Sequence, residues 1–206
     1  MNWVPWFQKH LKSRLPVCVG LATSDVGERL GTDFIYVDRG YWDRSERFRI
    51  IRGGVHLTRL LDRPGDRLTW SELRPWRQSG SFVVVIPPSP WQCKQIPGAA
   101  DWLAPTLASL QTDREVRVKH DKTLPFEQFL SGAHAVVAYG SVAAVKAAMW
   151  GYPVLSGPHC PATPISCESL EHPVLKDREP WLRSLSYAQW TQAEVANLNM
   201  DDYDYA

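Results

Sequence analysis

The feature that most constrains this chain is a regular alternation of short apolar runs and helical stretches from about residue 81 onward. Segment 81–88 (SFVVVIPP) is almost wholly apolar and stops at two prolines, which is typical of a strand buried on both faces of a sheet. Further strands are predicted at 115–121, 134–140 and 152–158, with helices at 99–111, 125–132 and 141–151. This strand-helix order predicts an α/β fold with a doubly wound parallel sheet.

In such a sheet, ligands bind beyond the carboxyl ends of the strands. The predicted strands end at 87–89, 119–121, 139–141 and 156–160. The sequence therefore predicts a binding site along this edge before any chemistry is assigned to it.

Residues 1–78 are less regular and predict a reduced N-terminal α/β lobe. Strands are predicted at 16–22 and 33–38 with a short helix at 26–30 between them, and segment 47–57 predicts an arginine-bearing hairpin that turns on Gly53-Gly54. Proline, glycine and serine mark a connection before residue 80. The second predicted domain, residues 79–206, is Rossmann-like and ends in C-terminal helices, one near 179–189 and one opened by a Thr191/Glu194 capping box.

Composition narrows the class of protein. With 44% apolar and 22% charged residues among 206, general disorder and a fibrous repeat are excluded. No apolar run approaches the roughly 18 residues that a membrane span needs, and the N-terminus lacks the core of a signal peptide, so a cytoplasmic protein without membrane association is expected. Four cysteines in this length predict reduced thiols. The net charge of +1 gives no general attraction to nucleic acid.

Segment 116–158 carries a series of recognisable pieces, which are Lys119-His120-Asp121, Gly140-Ser141, an alanine stripe over 143–148, and Gly151-Tyr152-Pro153-Val154. In this order they resemble the donor-binding domain of GT-B-type glycosyltransferases. Segments 34–44 and 181–195 are similar to uncharacterised glycosyltransferase-like proteins of bacteriophages and polysaccharide loci. The resemblance implies metal-independent transfer of a sugar from a nucleotide-sugar donor to an acceptor hydroxyl, with no further cofactor.

The donor site is predicted around Gly140-Ser141. A helix N-terminus offers free backbone N–H groups and a partial positive charge, which suit a diphosphate, although Ser141 is also a plausible helix cap. Lys119, at a strand end, would supply a cation for the departing nucleotide. The other polar residues predicted at this edge are Ser89, His120, Ser156 and Thr163.

Lys146 departs from the pattern of the resembled family, in which a glutamate at this position commonly holds the ribose hydroxyls. A lysine cannot accept hydrogen bonds from hydroxyls. Either Lys146 holds the donor through a phosphate, or the domain has lost normal sugar-nucleotide binding. The second possibility leads to an alternative function, a non-catalytic nucleotide- or anion-binding module on the same fold.

Asp38 is the first candidate for a catalytic base, because it follows a predicted buried strand and would face the cleft; Asp25 is the second. The alternative for Asp38 is a turn cap or a pair with Arg39. His56 and His120 are further candidates for the base. The residues predicted on the acceptor side are Arg39, Tyr41, Trp42, Arg44, Arg52 and His56.

Arginines are dense between residues 39 and 80, and this suggests an anionic acceptor. A phage origin would favour hydroxymethylated pyrimidines in DNA, with Trp42, Trp70 or Trp76 stacking beside a flipped base. Solvated or paired arginines are the alternative, and saccharide or protein acceptors stay open. His159, Cys160, Cys167 and His172 match no common zinc motif, so no metal is predicted. A Rossmann-type oxidoreductase is disfavoured because no G-x-G-x-x-G follows a predicted strand.

Overall fold

The computed structural model describes residues 3–68, 73–119 and 123–202. Its strands are β1 (Val17–Val19), β2 (Ile35–Arg39), β3 (Arg47–Arg52), β4 (Phe82–Ile86), β5 (Glu115–Val118), β6 (Ala133–Ala138), β7 (Val154–Ser156) and β8 (Gln189–Thr191). Its α-helices are α1 (Trp3–His10), α2 (Val26–Arg29), α3 (Pro90–Gln95), α4 (Leu103–Ser109), α5 (Phe126–Leu130), α6 (Val142–Met149), α7 (Glu179–Tyr187) and α8 (Gln192–Ala196), and 3-10 turns lie at Thr163–Ile165 and Met200–Asp202. Within the described ranges, no helix combines the length and the apolar character that crossing a membrane requires.

The second half of the chain forms an all-parallel sheet in the order β5-β4-β6-β7. Every residue of β4 is buried. Val84 packs in one cluster with Ala144 and Val145 of α6, whereas Val83 packs on the opposite face with Ala135. Both faces of the sheet are therefore covered, which explains why this strand is a continuous apolar run. The predicted strands and helices of residues 81–158 are confirmed, with shorter bounds.

The first half forms a mixed sheet in the order β1-β2-β3-β8, in which only β1 and β2 run parallel. On one face, Phe7 of α1 packs with Phe48. On the other face, Tyr36 packs with Ile96 and Tyr139, which follow α3 and β6 of the parallel sheet. The mixed sheet thus lies against the carboxyl edge of the parallel sheet.

The predicted hairpin over 47–57 is wrong. The antiparallel partner of β3 is β2, and the turn between them spans residues 40–46, where Asp43 adopts a positive φ of 46°. Residues 53–61 form a loop instead of a returning strand. The physical reason is that β2 and β8 occupy both edges of β3, so no edge is free for a strand after Gly53-Gly54.

Strand β8 pairs antiparallel with β3, although the sequence placed residues 189–191 with the second domain. The chain therefore returns to the first sheet after completing the second. The proposed division at residue 78 stays a prediction, but the C-terminal segment belongs to the first sheet by its hydrogen bonds. The predicted Thr191/Glu194 capping box is present at the start of α8.

Helices α1 and α3 were not predicted from the sequence. In α1, Pro5 lies in the first turn, where its missing N–H costs no helical hydrogen bond. Helix α3 begins with a capping box in which Ser89 accepts from the Gln92 amide and the Gln92 side chain accepts from the Ser89 amide. Ser89 is therefore tied to helix initiation.

Gly151 and Gly31 provide a matched test of packing at the end of α6. Both have φ of +88°, but a Cβ at Gly151 would lie 2.0 Å from the Pro75 carbonyl oxygen, whereas nothing lies within 4 Å of one at Gly31. We expect Gly151→Ala to lower the free energy of unfolding by about 2 kcal/mol more than Gly31→Ala, because only the first adds a clash to the strained φ. Urea denaturation measures both; equal losses would contradict this packing.

Candidate functional site

The strand order of the parallel sheet locates a crevice. From β4 the chain crosses to β5 on one side, and it later continues from β6 to β7 on the other side. The connections therefore diverge between β4 and β6, and ligands of open α/β sheets bind at the carboxyl ends of the strands at such a point. The residues there are 87–89, which lead into α3, and 139–141, which lead into α6.

The carbonyl oxygen of Gly140 is the meeting point of this crevice. It accepts a hydrogen bond of 2.5 Å from Nε2 of Gln92 in α3 and one of 3.1 Å from Nε2 of His56 in the loop after β3. A Cβ at Gly140 would lie 2.9 Å from the His159 carbonyl oxygen, so the backbone is closely packed here. This one backbone oxygen thus links α3 and the loop after β3 to the turn between β6 and α6.

The protonation of His56 follows from this contact. A carbonyl oxygen can only accept, so Nε2 must carry the proton and Nδ1 must present its lone pair. Burial, reinforced by the neighbouring charge of Arg49, holds the pKa of His56 well below its ordinary value. Among the described residues, the buried Nδ1 has no hydrogen-bond partner. His56 is therefore a neutral imidazole with an unsatisfied acceptor.

A cavity of about 350 Å³ lies beside His56. Its walls come from the loop 53–61, from Pro158 and His159 after β7, and from Tyr187 at the end of α7. The pKa of His159 is lowered by burial, so this imidazole is also neutral at pH 7. The cavity is of the size that small ligands occupy.

Ser141 acts as the N-cap of α6, since its Oγ accepts from the Ala143 amide at 3.1 Å. The cap anticipated from the sequence is confirmed, and the hydroxyl acceptor is used by the helix itself. The N-terminus of this eight-residue helix still points its dipole at the crevice. A diphosphate seat at Gly140-Ser141 remains a prediction.

The two lysines predicted for the donor lie in different places. The ammonium group of Lys119 lies at the carboxyl end of β5, 4.5 Å from the ring centroid of Phe129. That of Lys146 lies 4.8 Å from the ring centroid of Trp150, at the far end of α6 from the crevice. Lys146 is therefore remote from the donor position assigned to it. His120 falls outside the described residues.

Ser156, the last residue of β7, lies close to Thr163, with the two hydroxyl oxygens 3.4 Å apart. The Thr163 hydroxyl also donates to the Cys160 carbonyl oxygen at 2.7 Å. These contacts shape the turn that carries His159 toward the cavity. The pair thus has a structural role in the loop where the sequence predicted donor contacts.

Asp38 is partly exposed and forms an ion pair with the buried Arg49. Its Oδ2 accepts from Arg49 at 2.8 Å and from the Tyr36 hydroxyl at 2.8 Å, and its Oδ1 accepts from the Arg39 amide at 2.7 Å. Burial raises the pKa of Tyr36 far above its usual value, so the phenol stays a donor. Donors of the protein itself thus occupy both carboxylate oxygens, so the geometry does not favour Asp38 as the base.

Asp25, the second candidate for the base, lies elsewhere. It precedes α2, approaches Arg29 at 3.8 Å, and lines a separate open cavity of about 940 Å³ next to Cys93 and Lys94 of α3. Asp25 and His56 therefore lie on different cavities of the described structure.

The residues predicted on the acceptor side lie in several different places. The Tyr41 ring lies 6.0 Å from that of His56, and burial raises the pKa of Tyr41 to about 12. Trp42 is partly buried against the same core. Arg39 lies over the Phe48 ring on the opposite face of the sheet.

Two further arginines complete the acceptor-side set. Arg44 is exposed at the β2–β3 turn and donates to the Gly40 carbonyl oxygen at 3.3 Å. Arg52 lines the cavity with its guanidinium paired to Asp33. Of the predicted residues, the structure thus gathers Tyr41, His56 and Gly140.

Gln92, Arg49 and His159 were not predicted as site residues. Arg49 is one of the arginines that are dense between residues 39 and 80, and His159 was considered for a zinc site that its spacing disfavours. The S-P-x-Q run at 89–92 is a capping-box signal that would have placed α3, and with it Gln92, at the crevice. Arg49 precedes Ile50 in β3 and is only 4% exposed. No local sequence pattern indicates that this arginine is buried. Within the described ranges, no three His, Cys, Asp or Glu side chains are grouped as a metal site would require.

Comparison of the chain with protein-family models, with curated proteins and with solved structures gives no match. The case for a function therefore depends on the geometry of the site.

The Asp38–Arg49 pair has an exposed counterpart in Asp33–Arg52. The side chain of Arg49 is 5% exposed, whereas those of Asp33 and Arg52 are about half exposed. We expect Asp38→Asn to lower the free energy of unfolding by about 3 kcal/mol, because it leaves a buried guanidinium without its counter-charge. Asp33→Asn should cost much less, because solvent screens this exposed pair. Similar losses in urea denaturation would show that Asp38 is not the structural anchor described here.

The lowered pKa of His56 predicts a pH dependence of stability. Below pH 6.5, the ordinary pKa of histidine, the unfolded chain binds a proton at His56 that the folded chain does not. The free energy of unfolding should therefore decrease by up to about 1.4 kcal/mol for each unit by which the pH is lowered. His56→Gln removes this effect. Urea denaturation between pH 5 and 8 should show the stability of the wild type falling relative to that of the variant as pH decreases. A constant difference would contradict the assignment.

Proposed function

We propose that the protein is a glycosyltransferase of GT-B-like organisation that acts in the cytoplasm. The parallel sheet, as a doubly wound Rossmann-like unit, binds a nucleotide-sugar donor without a metal. The mixed sheet supplies the acceptor side, and the sugar passes to an acceptor hydroxyl in the crevice between the two sheets. The proposal joins the resemblance of segment 116–158 to the position of the crevice.

The observation that carries the proposal is the contact of His56 with Gly140. It brings a side chain of the loop that follows β3 of the mixed sheet to the point of the parallel sheet where the connections diverge. A donor bound at this edge and an acceptor bound against the mixed sheet would therefore meet. Transfer between two bound substrates requires this kind of juxtaposition.

The donor diphosphate is assigned to the N-terminus of α6. Ser141 forms the cap that keeps the terminus ordered, and the helix dipole favours negative charge there. Lys119 at the end of β5 adds a positive charge on the same edge of the sheet. These groups would stabilise the departing nucleotide.

A second candidate function is a nucleotide- or anion-binding module without catalysis. The observation in its favour is that Arg49, Tyr36 and the Arg39 backbone N–H all donate to the carboxylate of Asp38, the first candidate for the base. In such a module the crevice would bind the nucleotide, and no sugar would be transferred.

Isothermal titration calorimetry against UDP, GDP, CDP, ADP and their common sugar conjugates tests donor binding. One nucleotide sugar should bind, and Ser141→Ala and Lys119→Ala should each weaken it about 3- to 10-fold, since a helix-end or single-charge contact is worth about 1 kcal/mol. Lys146→Ala is the matched lysine control and should bind as the wild type does, because the Lys146 ammonium group lies beside Trp150 at the end of α6 away from the crevice.

Absence of binding across the panel by the folded protein would contradict both candidate functions in their nucleotide form. Binding that Lys146→Ala weakens as much as Lys119→Ala would contradict the donor position. Release of free nucleotide on addition of an acceptor would separate the transferase from the binding module.

A further inference from the structure

The unsatisfied Nδ1 of His56 specifies the kind of group that can bind beside it. Its lone pair is buried, and the protonation of the ring is fixed by the bond from Nε2 to Gly140. A buried acceptor without a partner destabilises the folded protein, because it has lost its hydrogen bonds to water, and a bound donor group removes this penalty. The group that completes it must therefore bring an O–H or N–H, and an anion such as a phosphate oxygen would instead repel the lone pair.

The ring of His56 lines the 350 Å³ cavity, together with apolar side chains such as Leu57 and Leu61. Mixed apolar walls with a few directed polar atoms are typical of sites for small neutral ligands. The charge of Arg52 in this wall is compensated by Asp33.

The arginines of residues 39–80 are largely engaged within the protein. Five of them form ion pairs, which are Arg47–Asp43, Arg49–Asp38, Arg52–Asp33, Arg67–Glu194 and Arg74–Glu127. Trp76, which the sequence offered for base stacking, is covered by Arg178, whose guanidinium lies 4.0 Å from the ring centroid. Trp70 lies outside the described residues. Paired arginines are poor phosphate ligands, so these contacts disfavour DNA as the acceptor.

We propose that the cavity beside His56 binds a neutral saccharide, one hydroxyl of which donates a hydrogen bond to Nδ1 of His56. That this saccharide is the acceptor substrate of sugar transfer rests on the proposed function. That the cavity binds a saccharide does not depend on it. Nδ1 is covered by its neighbours, so surrounding side chains must move aside when the hydroxyl arrives, while Nε2 keeps its bond to Gly140.

The experiment is ¹⁵N NMR of the full chain with labelled histidine. At pH 7 the spectrum should show His56 with Nε2 protonated and Nδ1 free. Titration with methyl glycosides of glucose, galactose, mannose and N-acetylglucosamine should move the Nδ1 signal for at least one sugar, in the direction of an accepted hydrogen bond. The opposite tautomer, or a charged ring, would overturn the proposal.

Two variants separate binding from folding. His56→Gln keeps an N–H near the position of Nε2 for Gly140 but lacks the Nδ1 acceptor, and it should bind the responding sugar at least about tenfold more weakly. His56→Asn places an amide oxygen near Nδ1 and should retain more of the affinity. Unchanged sugar binding in His56→Gln, with the variant folded, would overturn the proposal.

Further probes distinguish this proposal from the proposed function. Two further probes are inorganic phosphate and an oligonucleotide that carries 5-hydroxymethylcytosine. If either one moves the Nδ1 signal when no sugar does, the saccharide assignment is overturned. Nucleotide binding without any sugar response would overturn it while leaving the proposed function intact. A sugar response without nucleotide binding would support the cavity as a saccharide site and remove the proposed donor.

Discussion

The hydrogen bonds to the Gly140 carbonyl oxygen hold the site together. His56 reaches this oxygen from the mixed sheet and Gln92 reaches it from α3, so one atom fixes the distance between three separately folded segments. Gly140 itself has no room for a Cβ against the His159 backbone. These bonds add a fixed polar contact to the apolar packing of Tyr36 with Ile96 and Tyr139, which also holds the mixed sheet against this edge.

Buried charge supports the same arrangement from the other side. Arg49 binds the Asp38 carboxylate, the Val55 carbonyl and the Arg39 carbonyl. Burial lowers the pKa of the nearby His56, and the positive charge of Arg49 lowers it further. The ion pair therefore does two things at once. It orders the loop after β3, and it helps to keep the imidazole neutral, which leaves Nδ1 as an acceptor.

Much of the parallel sheet was predictable because its signals are local. A run such as 82–86 is apolar throughout only when a strand is covered on both faces, and Ser141 and Thr191 are caps by residue type and spacing. The turn at Gly53-Gly54 was mistaken for a hairpin because nothing local shows that β8, from far along the chain, already occupies the edge of β3.

The candidate site was harder to predict because its residues meet only through tertiary contacts. Strand ends were located from the order of elements, and His56 was named among the candidates. That Asp38 is neutralised by Arg49, eleven residues away on the next strand, follows from the antiparallel register of β2 and β3 and from no spacing rule. Lys146, chosen by its resemblance to a motif, directs its ammonium group toward Trp150 beyond the C-terminal end of α6, away from the crevice.

The central claim is that ligands meet at the carboxyl edge of the parallel sheet, against the mixed sheet. A crystal structure of the protein with a nucleoside diphosphate tests it most directly. We predict electron density for the diphosphate at the N-terminus of α6, with His56 still bonded to Gly140. Density confined to the separate cavity beside Asp25 and Cys93, or at the opposite edge of the sheet, would contradict the account.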